Sequence, residues 1–249
     1  SNWKEGYGYT VATEMYSAGI DRLTHQPLSF SVSETTEGVH IHIIDAELMG
    51  KGEKEKKDLY IEGVQNNGII NHYEYIINSE GTIEIRHVLK PEGKMPLWFP
   101  RIGLTLTVSD ALDQVKWYGR GPQENYPDRK TGYPTGIYAS TVQAMYEPYL
   151  MPQDYGLRTD VRWLQLTTDK GIGLQFKMNE WFNFNIYPYS TDNLTKAMYT
   201  YQLQKQKGMT LNLDYATTGV GCTARGVFGA YKAMPQEYRR TISIRPMMK

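Results

Sequence analysis

Phe182-Asn183-Phe184-Asn185-Ile186 sets an apolar side chain at every second position, a period that a strand with one buried face produces and a helix does not. The same alternation recurs in Val39-His40-Ile41-His42-Ile43, in Leu104-Thr105-Leu106-Thr107-Val108 and in Thr241-Ile242-Ser243-Ile244. Turn clusters separate such segments: Asn66-Asn67-Gly68, Ser79-Glu80-Gly81 and Asp169-Lys170-Gly171. That spacing predicts antiparallel meanders. The fold class is therefore all-β. A length of 249 residues suits one large sandwich or barrel, so residues 1–249 are expected to form a single domain. The charged run from Lys51 to Asp58 reads as a solvated hairpin loop.

Charge and composition narrow the function classes. Lys plus Arg number 27 and Asp plus Glu number 27, so no net field draws in nucleic acid or an anionic membrane. No apolar run approaches the roughly 20 residues that span a bilayer, and the N-terminus lacks a basic-then-apolar leader. Cys222 is the one cysteine, which excludes an internal disulfide and leaves the compartment open between cytoplasm and periplasm. Ser1-Asn2, without Met, points to a piece of something longer. Twenty Tyr and five Trp supply aromatic faces for strands and for stacking on sugars.

Between Gly119 and Gly156 the pattern changes. Pro122, Pro127, Pro134, Pro148 and Pro152 argue against regular helix and against a central strand, and long ordered loops of this kind carry function or cover another surface. Overlapping its start is Trp117-Tyr118-Gly119-Arg120-Gly121-Pro122-Gln123-Glu124-Asn125-Tyr126-Pro127-Asp128-Arg129. Glycines and prolines fix its path, while Glu124 and Asp128 lie within reach of Arg120 and Arg129 for charge-assisted pairing. Arg120, Gly121, Pro122, Glu124, Asn125, Asp128 and Arg129 are accordingly expected to be structural, with Arg129 anchoring the loop through a buried ion pair.

Other motifs carry less. Gly219-Val220-Gly221-Cys222-Thr223-Ala224 fits a dinucleotide fingerprint formally, but no helix, returning strand and distant acid follow it. His25, His40, His42, His72 and His87 lack helical metal-ligand spacing, and His40 and His42 share one polar strand face. They could also line a concave sugar-binding face. Asn193-Leu194-Thr195 is a formal glycosylation sequon of a kind that chance often supplies.

The stretch from Trp117 to Arg129 resembles a signature in the C-terminal domain of bacterial β-galactosidases of glycoside hydrolase family 2. Pro100-Arg101-Ile102-Gly103-Leu104 upstream, Tyr149-Leu150-Met151-Pro152-Gln153-Asp154-Tyr155-Gly156-Leu157-Arg158 downstream and the late turn Gly219-Val220-Gly221 are similar to further segments of that domain, in the same order. The resemblance implies a large antiparallel β-supersandwich of the galactose mutarotase-like kind, with the family's first strands missing upstream of Trp3. It implies a retaining β-galactosidase as the parent enzyme, whose two catalytic glutamates, about 5 to 5.5 Å apart, lie in a TIM barrel that this chain lacks. No catalytic residue, cofactor or metal is then expected here, the Mg or Na of such enzymes belonging to the barrel. The implied partners are the remaining domains of the parent and a β-galactoside.

Two departures bear on specificity. Where the family continues the glycine turn to a substrate-stacking tryptophan, this chain reads Cys222-Thr223-Ala224-Arg225-Gly226-Val227-Phe228; Arg225, Gly226 and Phe228 become the pocket candidates, against a hairpin with Phe228 in the core. A family histidine is replaced by Tyr199. Two alternatives stand beside the accessory domain. One is a free-standing aldose 1-epimerase, needing a base and acid such as Glu180 or Glu237 with His72; the other is a carbohydrate-binding module using exposed aromatic faces.

Overall fold

The computed structural model describes residue 15 and residues 18–49, 67–221 and 226–248. The run Lys51–Asp58, Cys222 and Arg225 lie outside the described residues. Among the described residues, eleven strands and little helix bear out the all-β class: β1 (Thr24–Thr35), β2 (Gly38–Leu48), β3 (Gly68–Ile77), β4 (Ile83–Glu92), β5 (Arg101–Val108), β6 (Gln114–Arg120), β7 (Thr135–Thr141), β8 (Arg158–Thr167), β9 (Gly173–Tyr187), β10 (Met209–Thr217) and β11 (Tyr238–Met247), with the short helix α1 (Thr191–Lys196). Every pairing with a resolved register is antiparallel. All four alternating segments fall inside strands, and Gly81 and Gly171 take the positive φ that their turns require (74° and 78°).

The chain divides into two compact units. One holds Arg101–Lys232 and the end of the chain from Ile244; the other holds the described residues up to Pro100 together with Ala233–Ser243. In the first, the order is β5-β10-β9-β8-β6-β7. Trp117, Leu157, Val161, Leu164, Leu166, Phe184, Leu211 and Leu213 are fully buried, and Trp117 meets Phe184 edge-on with ring centroids 5.9 Å apart. Such close packing of large aromatic and aliphatic groups is the main favourable term for this unit. The proline-rich stretch does contain a strand, β7, which occupies the sheet edge; an edge tolerates flanking prolines that a central ladder does not.

The second unit is a meander, β1-β2-β3-β4, with β11 beside β4. Ala46, Ile76, Ile85, Leu89, Trp98 and Phe99 are buried, and Phe99 donates its N–H to the Ala233 carbonyl at 2.8 Å. A polar chain also runs through it: His87 Nε2 donates to Asn71 Oδ1 (3.1 Å) and Asn71 Nδ2 to Asp45 Oδ1 (2.9 Å). Each of the three is under a tenth exposed. Burial pushes the His87 imidazole down to about 4, with His72 adding to the shift.

Candidate functional site

All the motif segments converge in the first unit. β6 delivers the signature loop, and Glu124, 6% exposed, is its hub. Its carboxylate accepts from Tyr126 Oη (3.1 Å), Arg129 Nη2 (3.0 Å), the Gly156 N–H (2.8 Å) and Tyr149 Oη. Two donors on each oxygen saturate the group and tie the downstream segment to the signature. Burial, then the Glu124 carboxylate, pushes the Tyr149 phenol up to about 12, so it stays a donor at neutral pH.

The neighbouring residues repeat the pattern. Asn125, fully buried, donates its N–H to the Leu157 carbonyl and takes the Thr159 N–H on Oδ1. Arg158 donates from Nε to the Pro122 carbonyl (3.0 Å) and from Nη1 to the Gly156 carbonyl (2.8 Å), with its guanidinium 5.4 Å from the Trp117 ring centroid. Burial pushes this guanidinium down to about 10, against the pull of Glu124 and Glu147. The Gly121-Pro122 bond is cis. A Cβ on Gly121 would sit 2.8 Å from the Tyr138 ring, so glycine is required for that close approach.

Two expected pairings are corrected. Arg120 meets neither Glu124 nor Asp128: Nε bonds Asp160 Oδ2 at 2.5 Å, and Nη1 donates to the Lys130 and Tyr133 carbonyls. Asp160 was not foreseen because it reaches this place through a bulge in β8, where the register shifts between Arg158 and Val161 and Asp160 adopts φ 54°. Burial opposes its charge, yet Lys130 and Arg120 outweigh it and hold the carboxyl below the usual range. Arg129 is the second correction. Its side chain is 52% exposed, so it bonds a buried carboxylate from the surface rather than as part of a buried pair.

Asp128 has another task. It accepts the N–H groups of Val220 (3.0 Å) and Gly221 (2.7 Å), capping the late glycine turn. A Cβ on Gly219 would collide with the Asp128 carboxyl. Gly219 donates to the Tyr231 carbonyl, and Tyr231 to the Phe228 carbonyl, so Phe228 stands beside the turn, in extended conformation just before the 3-10 segment Gly229–Tyr231. Its ring is 72% exposed. The core reading of Phe228 is thereby excluded, and Gly226 has open space around it.

The upstream segment contributes Arg101, whose Nη2 bonds Asp214 Oδ2 at 2.8 Å and Asn185 Oδ1 at 3.3 Å, while Nη1 lies 3.5 Å from Asp154. Burial opposes the guanidinium charge, but Asp154 and Asp214 outweigh that and raise it. Asp214, 1% exposed, is pushed up to about 6 by burial, partly countered by Arg101. Asn185, Asn212 and Asp214 escaped sequence reasoning: alternation marked Asn185 as polar face, whereas the end of β9 is buried on both sides. Tyr199 is exposed and stacks on Tyr201, centroids 5.5 Å apart and planes at 6°. Asn193 uses both ends of its amide on the Gln202 carbonyl and the Gln204 N–H. Of the epimerase candidates, Glu237 is bonded by Arg239 and Glu180 lies exposed on β9.

An antiparallel all-β chain whose charged signature is locked into loop-fixing bonds, leaving aromatic rings exposed beside a glycine turn, is a scaffold that presents a loop. The chain belongs to the β-galactosidase small-chain family, whose model, described as beta galactosidase small chain, matches residues 9–244. It is similar to the β-galactosidase of Priestia megaterium, 38% identical over 147 residues, which cover 59% of this chain and 14% of that protein. The β-galactosidase of Vibrio cholerae is 31% identical over 207 residues, covering 83% of this chain and 18% of that protein. The match thus spans only a small part of these relatives. Among solved structures, galactose 1-epimerase from Lactobacillus acidophilus NCFM has a TM-score of 0.44 at 9% identity, covering 90% of this chain and 66% of that one.

Proposed function

We propose that this chain is the C-terminal accessory part of a family 2 β-galactosidase, docked on a catalytic barrel supplied by the rest of the enzyme and bordering its sugar pocket. The reading is carried by one observation: Asp128 holds the Gly219–Gly221 turn while Phe228 stays exposed beside it. A hydrophobic ring kept in water near a fixed turn supports a role in covering the apolar face of a sugar. The signature carboxylates are engaged in holding loops, which supports a chain that does not hydrolyse glycosides by itself.

The test has two arms. The isolated chain is assayed on a chromogenic galactoside; turnover that scales with protein concentration through purification would overturn the accessory role. In the full-length enzyme, Phe228→Ala is expected to lower kcat/KM about tenfold, equivalent to roughly 1.4 kcal/mol of transition-state stabilisation. A change within about twofold would make the turn scaffolding only.

The parallel, exposed Tyr199 and Tyr201 rings favour a second reading, a carbohydrate-binding surface outside the pocket. Quenching of the chain's intrinsic fluorescence by galactosides, lost in Tyr201→Ala and retained in Phe228→Ala, would distinguish it.

A further inference from the structure

In the second unit, β2 and β3 bring two imidazoles and a carboxylate together on one sheet face. His40 and His42 are two apart on β2, and His42 sits opposite Glu74 of β3. Glu74 Oε1 lies 3.5 Å from His40 Nδ1 and 4.0 Å from His42 Nε2, and the three ligand atoms lie within 4.8 Å of one another. Donors around a tetrahedral zinc ion, at about 2.0–2.1 Å from the metal, are separated by roughly 3.4 Å. Small rotamer adjustments therefore suffice to close the set.

The surroundings prepare each donor. Thr35 Oγ1 accepts the Glu37 N–H (3.1 Å) and faces the Gly38 carbonyl (3.5 Å), which takes its single proton. The same oxygen lies 3.0 Å from His40 Nε2 and ties that ring to β1. Nδ1 is then the His40 nitrogen turned towards Glu74. A hydrogen bond to the far ring nitrogen is how metal-ligating histidines are oriented. Glu74 is held in the same way: Arg86 Nη1 takes Oε2 at 3.0 Å and leaves Oε1 to the histidines. Glu37 Oε2, 4.0 Å from His40 Nε2, adds negative charge behind the ring. His40 and His42 thus converge on one carboxylate oxygen, a mixed nitrogen and oxygen donor set of the kind that holds a divalent cation.

We propose that His40 Nδ1, His42 Nε2 and Glu74 Oε1 form a binding site for a divalent cation of the zinc class, with the remaining coordination position open to water. Two nitrogens and one oxygen suit zinc over magnesium or calcium, which prefer all-oxygen shells. His42, half exposed, gives the ion its path in, and the bound ion would cross-link β2 to β3. The site depends on neither the sugar pocket nor the accessory role.

Titration of the chelator-treated chain with zinc chloride, followed by calorimetry, tests the site, and cobalt(II) substitution reads the geometry through visible absorption. One equivalent of zinc bound at micromolar affinity or tighter is expected, with intense four-coordinate cobalt bands and a thermal midpoint that rises with zinc. His42→Ala and Glu74→Gln should abolish the bands, and Thr35→Val should weaken zinc binding by about 10-fold. His25→Ala, which removes a histidine of β1 facing Glu47, should leave both unchanged. Absence of stoichiometric binding, or binding that persists in His42→Ala with native circular dichroism, overturns the proposal.

Discussion

Asp128 accepts the N–H of Gly221 at 2.7 Å across 93 residues of chain. This bond, with its companion to Val220, makes the signature loop and the late glycine turn one object. Asp128→Ala should lower stability by about 1–3 kcal/mol, the usual cost of orphaned donors at a charged acceptor, read from the urea midpoint. Gly219→Ala should cost a similar amount in the native chain and much less beside Ala at 128, because its Cβ collides with the Asp128 carboxyl. Strict additivity in this double-mutant cycle would refute the contact.

Glu124 and Arg129 should differ in weight although they bond each other. Glu124→Gln turns an acceptor of four hydrogen bonds into a group that points an NH2 at two donors, and a loss of roughly 3 kcal/mol is expected. Arg129→Ala removes one half-exposed donor and should cost only about 1 kcal/mol. Thermal midpoints for the two variants check the order; equal losses would contradict it.

The pH dependence of stability should contain two opposed contributions. His87 is lowered from 6.5 to about 4, so between those values the unfolded chain binds more protons and stability falls as pH falls. Asp214 is raised from 3.8 to about 6, so in that window the folded chain binds more protons and stability rises as pH falls. Each is worth at most roughly 3 kcal/mol. Denaturant titrations from pH 6 to pH 4 should therefore be shallow for the native chain. His87→Phe should gain stability on acidification, whereas Asp214→Asn should lose it; the same slope in all three would dismiss both assignments.

Phe228 should be dispensable for folding. With its ring largely in solvent, Phe228→Ala is expected to change unfolding free energy by less than about 0.5 kcal/mol. A larger loss would mean that the ring packs, and would remove the basis for the proposed sugar contact.

The sequence determined the class of fold and the family by itself. A two-residue apolar period at Val39–Ile43, Leu104–Val108, Phe182–Ile186 and Ile242–Ile244 is a local signal, because pleating alone sends alternate side chains to opposite faces, and all of these became strands. The signature, its neighbours and the glycine turn were legible as ordered motifs, since glycine and proline dictate backbone shape wherever they stand. The contact of Arg129 with Glu124 was legible; other partners were not. Arg120 chose Asp160 over the nearer Glu124 and Asp128 because a bulge in β8 turned that carboxylate inward, and Asn185 became buried because the end of β9 is covered on both faces. The pairing of Glu74 with His40 and His42 likewise waited on the β2–β3 register. Which charges meet depends on strand register and burial summed over residues far apart in the chain, and only tertiary structure sets those quantities.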